Sequence, residues 1–561
     1  MPHKSRFSTP IPIQSLPDYV FSSSTAPLED RKPAIVDAEN PKYHLTHHTY
    51  REWSKRLAAG LLKSGFRAGD RLILYSGNTI FFPVVLMGTI AAGGVFTGAN
   101  PTYVARELAY QMQDSGAKFL ITSEASIATA LEAVDSIKFP RDNVFVFDSG
   151  FATFDGQGRS VSGIAHWSTL LASPQESADF RWECFSTREE MEKNAVLNYS
   201  SGTTGLPKGV LISHMNYISN CTQTQYLDAL DPGYEEDVKT AVSLSLLPMY
   251  HAYGQTYHCV SMVKRGVPIY LMRKFDFVKM LEYVQKYRVT SLTLVPPIAV
   301  ALTKRPEVKN YDLSSVRSAG CGAAPLGRES TLEFDSAVAK GKYKIRQGWG
   351  MTEITCSAIG WDPRVEPVSG SIGEPMTNVE IAIMGEDGQE MPDGQRGELW
   401  VRGPNVMKGY WKKPEATKET KTEGGWLKTG DIAYRDQQGL LYIVDRKKEL
   451  IKVKGNQVAP AELEALLLDH PAVQDVAVVG VTINGEELPR AYIVPQQSQN
   501  PSPKDIAAWL AQRVAPHKRL AGGVAITDSI PKNPSGKIMR KQLKDRAKEE
   551  VGDGEVRGSR L

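Results

Sequence analysis

The chain has 561 residues, of which 41% are hydrophobic and 23% charged, and 66 Lys and Arg residues nearly balance 63 Asp and Glu residues. A chain of this length divides into roughly three or four structural units with enough apolar residues for large cores. The balanced charge argues against a dedicated nucleic-acid binder, and 47 glycines and 34 prolines are too few for a collagen-like or wholly disordered chain.

Other simple features exclude further classes of protein. The five cysteines are scattered without a Cys-x-x-Cys pair, which predicts a reducing compartment and neither a disulfide framework nor a structural zinc site. The first 21 residues carry Pro10, Pro12 and Pro17 and no continuous apolar run, so they do not have the pattern of a secretory signal peptide. The most apolar stretch, 81–96, is interrupted by Pro and Gly and is shorter than the roughly 20 residues of a membrane span, so we expect a buried helix there and no span.

Strand-like and helix-like segments alternate through most of the chain. The spacing of apolar residues predicts a helix over 49–65, a strand over 71–76 and a helix over 81–92. Further strands are predicted over 118–122, 144–147, 195–199, 269–272 and 291–295. This alternation favours an α/β fold in which a large N-terminal domain contains two layered βα sheet subdomains.

The sequence pattern changes at about residue 370, where short strands are separated by Asp-Gly and Gln-Gly turns. We predict a smaller β-rich subdomain over about 370–445, which completes an N-terminal domain of residues 1–445. The charged stretch 445–449 is typical of a linker. The spacing beyond it predicts a small α/β domain over 446–561, with elements that begin near Pro460, Val476 and Ser502.

The most specific local pattern is the segment 199–209, Tyr-Ser-Ser-Gly-Thr-Thr-Gly-Leu-Pro-Lys-Gly, which we predict a strand to enter and a helix to leave. Glycines let a backbone approach a ligand closely, hydroxyl and N–H groups donate to phosphate oxygens, and a lysine adds positive charge. The segment is not a Walker A loop, because Pro207 stands where that motif has glycine. It predicts a polyphosphate-binding turn made by Ser200, Ser201, Gly202, Thr203, Thr204, Gly205 and Lys208.

With this segment and several further blocks, the sequence resembles the adenylate-forming superfamily of acyl-CoA synthetases, adenylation domains and beetle luciferases. It is most similar to 4-coumarate–CoA ligase-like enzymes. The resemblance covers nearly the whole chain, because the blocks follow in the order expected for the family. They are 248–254, 322–327, 347–353, 428–431, 445–455 and 531–537.

The resemblance implies an AMP-forming ligase with two half-reactions. A carboxylate attacks the α-phosphate of ATP in the presence of Mg²⁺, which gives an acyl-adenylate and pyrophosphate. The thiol of coenzyme A then displaces AMP and forms a thioester. The C-terminal domain is implied to be mobile and to rotate between the two reactions. The cofactors implied are therefore ATP, Mg²⁺ and coenzyme A.

The same resemblance implies roles for matching residues in adenylation. The turn 200–208 would hold the β- and γ-phosphates, with Thr204 at the metal. Thr352 would touch the α-phosphate, and Glu353 would hold Mg²⁺. Lys537 would bridge the carboxylate and the α-phosphate, and His251 would lie near that carboxylate. Adenine would lie against Gly322, Ala323, Ala324, Gln347, Gly348 and Trp349, where many relatives have Tyr in the last position, and ribose would bind Asp431 and Arg446.

Other matching positions point to coenzyme A and to the acyl group. Thioester formation would use Lys274, Lys452, Lys454, Gly455 and Gln457, with Lys448 at the hinge. The acyl pocket would be lined by Tyr253, Gly320, Cys321 and Ile359. Coumarate ligases often have a long side chain at the position of Gly320, so glycine there would deepen the pocket. We expect an aryl acid similar to cinnamate, phenylacetate or benzoate, or a medium-chain acid.

Amino acids are disfavoured as substrates. The block His251-Ala252-Tyr253 lacks the Asp that usually pairs with the substrate's ammonium group, and a buried unpaired ammonium is costly.

Other activities within the superfamily stay open. A luciferase-like oxidative enzyme shares the motifs, and an acyl-AMP ligase would load a carrier protein instead of coenzyme A. A catalytically inactive scaffold is disfavoured, since Lys537, Glu353 and Asp431 are all present.

The last three residues, Ser559-Arg560-Leu561, are a conservative variant of the Ser-Lys-Leu peroxisomal address. We therefore expect binding to the peroxisomal import receptor and a peroxisomal, otherwise cytoplasmic, location. The other expected partners are a small carboxylic acid, ATP and coenzyme A, with no nucleic acid, and the chain is expected to be a monomer or a homodimer.

Overall fold

The computed structural model describes residues 2–22, 32–148, 151–200, 206–453, 456–483, 485–496, 499–533 and 536–551. Two large, mostly parallel sheets form the N-terminal part, as the alternating pattern predicts. One has eight strands in the order Gly409–Tyr410, Lys208–Ser213, Asn194–Ser200, Val95–Ala99, Arg71–Tyr75, Ala117–Ser123, Val144–Phe147 and Ala165–His166. The other has seven strands in the order Ile345–Gln347, Ser318–Cys321, Ser291–Leu294, Ser243–Ser245, Ile269–Leu271, Pro33–Asp37 and His44–Thr46.

Helices connect the strands of these sheets. They are Leu16–Phe21, His47–Lys63, Phe82–Ala91, Ala105–Ser115, Ile127–Ser136, Phe151–Phe154, Pro174–Ala178, Arg188–Met191, His214–Asp228, Tyr234–Thr240, Ala252–Gly254, Met262–Lys264, Phe277–Lys286, Pro296–Lys304, Arg328–Ala337 and Pro414–Thr420. Turns of 3₁₀ helix lie at Glu124–Ser126, Arg141–Asn143, Trp167–Leu170, Pro306–Asn310 and Thr352–Ile354, and a π-helical segment spans Gln255–Ser261.

The apolar stretch near residue 81 forms the expected core helix. Every residue of Phe82–Ala91 is buried, and Pro83 stands in its first turn, where a missing N–H is tolerated. The helix belongs to the largest apolar core of the molecule. Within the ranges described above, no helix is both long and apolar enough to cross a membrane.

A five-stranded antiparallel sheet follows, where the β-rich subdomain was predicted. Its order is His3–Lys4, Glu380–Met384, Gly397–Arg402, Leu427–Arg435 and Leu441–Arg446. The sequence did not indicate its first strand, in which His3 pairs with Ile381. Nearby, Arg6 forms ion pairs with Asp362 at 2.7 Å and Glu374 at 2.8 Å, which attach the N-terminal segment to residues far along the chain. A short sheet pairs Ile359–Gly360 with Glu374–Pro375.

The chain beyond residue 446 forms a small α/β unit. A hairpin pairs Ile451–Val453 with Asn456–Val458, and a three-stranded sheet contains Val473–Ile483, Glu486–Pro495 and Val524–Ile526. Its helices are Pro460–Leu468, Pro503–Ala511 and Arg540–Val551, with a 3₁₀ turn at Pro516–Lys518. Pro460 occupies the first helical turn, as predicted, and the Ser502 side chain caps its helix by accepting from Asp505 N at 3.1 Å. The exact domain ranges remain a prediction.

The prediction that a helix directly follows the Ser/Thr/Gly turn is wrong. The strand Lys208–Ser213 leaves the turn and pairs antiparallel with Asn194–Ser200, so that Lys208 lies opposite Ser200. The run Val210-Leu211-Ile212 explains this outcome, because β-branched and apolar residues favour a strand. The helix begins only at His214, after Ser213 has capped it by accepting from Asn216 N. The described residues on either side of this segment therefore belong to two antiparallel strands of one sheet.

Candidate active site

A cavity of about 1010 Å³ lies between the N-terminal part and the C-terminal unit. Parallel strands of the seven-stranded sheet end at its edge, where open α/β sheets usually bind ligands. The cavity is lined by many residues of the nucleotide motifs, namely Ala323, Ala324, Gln347, Gly348, Trp349, Asp431, Arg446 and Lys537. Motifs that lie far apart in the sequence therefore meet in one place.

Trp349, Asp431 and Arg446 form a connected group on the wall of this cavity. Trp349 Nε1 donates a hydrogen bond to Asp431 Oδ2 at 2.8 Å. Arg446 Nε lies 2.9 Å from Oδ1 as an ion pair, and the Asp431 carboxylate raises the pKa of Arg446. This ion pair does not have hydrogen-bond geometry, so the buried Oδ1 receives no hydrogen bond from any residue within the described ranges. Oδ1 can therefore still accept a hydrogen bond from a ligand that brings its own donor, such as a ribose hydroxyl group.

Glu353 is held by a tyrosine that the sequence did not single out. Its carboxylate accepts a hydrogen bond from Tyr410 Oη at 2.9 Å, and its side chain is buried. The Lys208 ammonium lies 4.8 Å from the centre of the Tyr410 ring. Tyr410 thus links the lysine of the phosphate turn to Glu353, although 57 residues separate it from Glu353. A local sequence signal does not reveal such a contact.

The turn that presents Thr352 and Glu353 is tightly packed. Thr352–Ile354 forms one turn of 3₁₀ helix that begins two residues after Gly350. A Cβ atom at Gly350 would lie 1.6 Å from the carbonyl oxygen of Cys356, so this position admits only glycine. Glycine therefore allows the backbone to fold back on itself and to place Glu353 at the site.

Lys537 enters the site from the C-terminal unit. Its backbone N–H donates to Asn533 Oδ1 at 2.9 Å, which ties Lys537 to a residue four positions earlier. A Cβ atom at the preceding Gly536 would lie 3.4 Å from Val295, so this loop touches the N-terminal part. Burial and the nearby Arg446 cation lower the pKa of Lys537 from its usual value of 10.5. Glu449, Asp431 and Glu353 oppose this shift, so Lys537 lies within electrostatic range of the nucleotide and metal candidates.

His251 lies deeper, beside the predicted acyl pocket. Its Nδ1 accepts from Tyr253 N at 3.5 Å, and burial together with the Lys537 cation lowers its pKa to about 4. The Tyr253 ring packs edge-on against Tyr257, with 5.3 Å between the ring centres. Gly322 lies against that ring, since a Cβ atom there would be 3.4 Å from it.

The remaining pocket residues fall into two groups. Gly320 borders open space, since a Cβ atom there would meet only the Arg346 carbonyl oxygen at 4.0 Å. Ile359 and Cys321 are buried, and Cys321 belongs to the apolar cluster on the other face of its strand. The role of all these residues in binding an acyl group remains a prediction.

None of the described residues predicted for coenzyme A lines the cavity. Lys274 and the hinge candidate Lys448 are exposed. Lys452 and Gln457 are exposed partners in the small hairpin, where Lys452 N donates to Glu487 Oε2 at 2.9 Å. Lys454 and Gly455 lie outside the described residues, as do Ser201, Gly202, Thr203, Thr204, Gly205 and the tripeptide 559–561.

A buried charged cluster joins the linker to the C-terminal unit. Arg540 forms ion pairs with Glu449, in the linker, and with Glu464, in the helix Pro460–Leu468. Asp445 Oδ2 accepts from Ala461 N at 2.9 Å, and burial raises the pKa of Asp445 to about 7. The sequence indicates only a charged linker over 445–449 and does not reveal these contacts.

Comparisons with known proteins agree with this geometry. The model of the AMP-binding enzyme family matches residues 24–411, and the model of the AMP-binding enzyme C-terminal domain matches residues 462–537. A phenylacetyl-CoA ligase of Aspergillus niger is 35% identical over 97% of this chain and 99% of its own. A 4-coumarate-CoA ligase of Narcissus pseudonarcissus is 38% identical over 93% of this chain and 92% of its own. The ATP-bound crystal structure of MatB from Rhodopseudomonas palustris superimposes with a TM-score of 0.81 and 25% identity, over 96% of this chain and 99% of that one.

Proposed function

The chain belongs to the AMP-binding enzyme family and is an AMP-forming acid–thiol ligase, and we propose that it activates an aryl or medium-chain carboxylic acid. The acid first reacts with ATP to give an acyl-adenylate and pyrophosphate. The thiol of coenzyme A then displaces AMP and forms the thioester. One observation carries this proposal: Lys537, the Trp349–Asp431–Arg446 group and Glu353 surround a single site.

We propose that Lys537 stabilises the transition state of adenylation. Negative charge develops as the carboxylate oxygen attacks the α-phosphate, and a preorganised ammonium in a site shielded from water stabilises that charge strongly. The adjacent imidazole of His251 is neutral at physiological pH because its pKa is about 4. It therefore orients the acid without adding a second cation.

The nucleotide and Mg²⁺ roles rest on the same wall of the site. Asp431 Oδ1 has room for a donor from the ribose, and the Trp349 ring offers a flat surface for adenine. Among the described residues, no Lys or Arg forms an ion pair with the buried Glu353 carboxylate, so Glu353 would be the residue to hold a Mg²⁺ ion. Bound there, the ion would neutralise phosphate charge.

Thioester formation requires a different arrangement. Lys452 and Gln457 are exposed on the hairpin and do not line the cavity. We propose that the C-terminal unit rotates about Lys448 after adenylation, so that this hairpin replaces Lys537 at the site. The same site would then hold one set of catalytic groups for adenylation and a second set for thioester formation.

The proposed function is tested by release of pyrophosphate across a panel of carboxylic acids. We expect several aryl or medium-chain acids to support it and to yield a thioester only when coenzyme A is present. Thioester formation is followed by mass spectrometry. If no aryl or fatty acid supports turnover that depends on coenzyme A, the assignment is wrong.

The pH dependence of adenylation should reflect Lys537. The protonated ammonium is the active form, and burial places its pKa below 10.5, so kcat/KM should fall as pH rises through a value below 10.5. His251, with a pKa of about 4, should add no inflection near 6.5. The measurement is pyrophosphate release from pH 5 to 10.5. Arginine stays charged over this range, so in Lys537→Arg the alkaline decrease should disappear; its persistence would assign the decrease to another group.

We also propose import into peroxisomes through Ser559-Arg560-Leu561. A fluorescent fusion that keeps this C-terminus should collect in peroxisomes, whereas the same fusion without the three residues should not. Equal distributions of the two fusions would contradict the proposal.

A further inference from the structure

The floor of the predicted acyl pocket contains an arginine with few partners. Thr293, Gly320 and Arg346 are aligned across three neighbouring parallel strands. Aligned residues of parallel strands point to the same side of a sheet. The opposite side is occupied by residues of an apolar core, namely Leu292, Leu294, Ala319, Cys321 and Ile345. Arg346 therefore shares the side on which Gly320 leaves space.

That space adjoins the reaction site. A Cβ atom at Gly320 would meet only the main-chain oxygen of Arg346, at 4.0 Å. Two residues further along, on the same side, Gly322 lies against the Tyr253 ring. Tyr253 in turn contacts Tyr257 and follows His251. Tyr253 thus contacts both the strand end that follows Gly320 and the residue His251 beside the predicted acyl pocket.

The guanidinium group of Arg346 has unused hydrogen-bonding capacity. Its Nη2 donates to the carbonyl oxygen of Pro363 at 2.9 Å and keeps a second N–H. Its Nε is buried and has no acceptor in the part of the chain that the structure describes. Burial lowers the pKa of Arg346, although Asp228, Asp231 and Asp362 oppose the shift. A buried donor without a partner is costly, which indicates that a ligand supplies the acceptor.

The nearby carboxylates do not supply an acceptor for the free N–H groups of Arg346. Asp228 is paired with Arg265 at 2.8 Å, and Asp362 is paired with Arg6 at 2.7 Å and with Arg364 at 2.8 Å. Asp231 accepts from Gly233 N at 2.8 Å. None of the ion pairs found within the described ranges includes Arg346.

We infer that Arg346 binds a second carboxylate, at the end of the substrate remote from the reacting carboxyl group, so that the preferred acid is a diacid. A carboxylate matches the planar fork of a guanidinium group and would use the free N–H groups of Nε and Nη2. Gly320 leaves the room that the chain of the acid requires, and the two tyrosines flank its apolar middle. The inference rests on the proposed acyl-activating function.

The test compares matched acids that differ only at the remote end. The pairs are phenylacetic acid with 1,4-phenylenediacetic acid, cinnamic acid with 4-carboxycinnamic acid, and octanoic acid with octanedioic acid; 4-hydroxycinnamic acid provides a phenolic alternative. The readout is kcat/KM for thioester formation. We expect each diacid to exceed its monoacid, and the ratio to fall roughly 10- to 100-fold in Arg346→Met, which loses a charge-assisted hydrogen bond.

Two further variants keep the result interpretable. Arg141→Met removes an exposed arginine paired with Asp135 and should leave the ratio unchanged. Gly320→Met keeps Arg346 but fills the adjacent space, and should lower the ratio even if Arg346→Met does not fold. Turnover of monoacids without preference for diacids, or a preference for the phenolic acid over the diacids, would overturn the inference and leave the proposed function standing. Turnover of no acid at all would instead refute the proposed function.

Discussion

Lys537→Ala is expected to lower the rate of adenylate formation roughly 10²- to 10³-fold. The ammonium lies within electrostatic range of Arg446, Asp431 and Glu353, and no neutral side chain can replace its charge. The loop itself should persist, because its bond to Asn533 comes from the backbone N–H of Lys537. Pyrophosphate release by the acid and ATP measures this half-reaction.

The second half-reaction shows whether Lys537 acts in adenylation alone or supports the structure as a whole. Thioester formation from supplied acyl-AMP should be largely retained in Lys537→Ala, because the proposed rotation removes Lys537 from the site. Lys541→Ala is the matched control, since Lys541 is exposed one turn further along, in the helix Arg540–Val551, and should affect neither reaction. An equal decrease of both half-reactions would mean that Lys537 supports the structure and not one chemical step.

Local patterns were sufficient for much of this architecture. The helix Phe82–Ala91 and the strands Arg71–Tyr75 and Val144–Phe147 lie within about one residue of their predicted bounds, because the period of the apolar residues determines each of them locally. The Ser/Thr/Gly turn misled the prediction of the next element. A helix was predicted to leave it, whereas the apolar residues beyond it pair with a strand of the same sheet.

The contacts that the sequence did not reveal are long-range. The Tyr410–Glu353 hydrogen bond and the addition of His3–Lys4 to a distant sheet depend on how separate elements pack. The resemblance predicted that Trp349 and Asp431 bind the same ligand, Trp349 at its adenine and Asp431 at its ribose. It did not indicate that the two side chains would bond directly, because that bond depends on the indole N–H, which the tyrosine of many relatives lacks.

Substitutions that break the Trp349–Asp431 hydrogen bond are expected to have the second large effect, which is on ATP binding. Asp431→Ala should raise the KM for ATP roughly 10- to 100-fold, because it removes the acceptor for the ribose and leaves the buried donor of Trp349 without its partner. Trp349→Phe keeps a flat ring but removes the N–H, so the carboxylate loses the bond that holds Oδ2. We expect a smaller rise in KM, of about 3- to 10-fold, with kcat little changed.

A double-mutant cycle separates orientation of the carboxylate from stacking. If Trp349 acts by holding Asp431, its substitution should add little once Asp431 is alanine, so the two effects should be less than additive. Discrimination against 2′-deoxy-ATP should also weaken in Trp349→Phe, since the ribose contact becomes less well ordered. Trp400→Phe is the control, because Trp400 Nε1 is buried in the five-stranded sheet with no acceptor among the described residues. If the two substitutions had additive effects on the KM for ATP and left the discrimination against 2′-deoxy-ATP unchanged, Trp349 would act by stacking only. Arg446 alone would then orient Asp431.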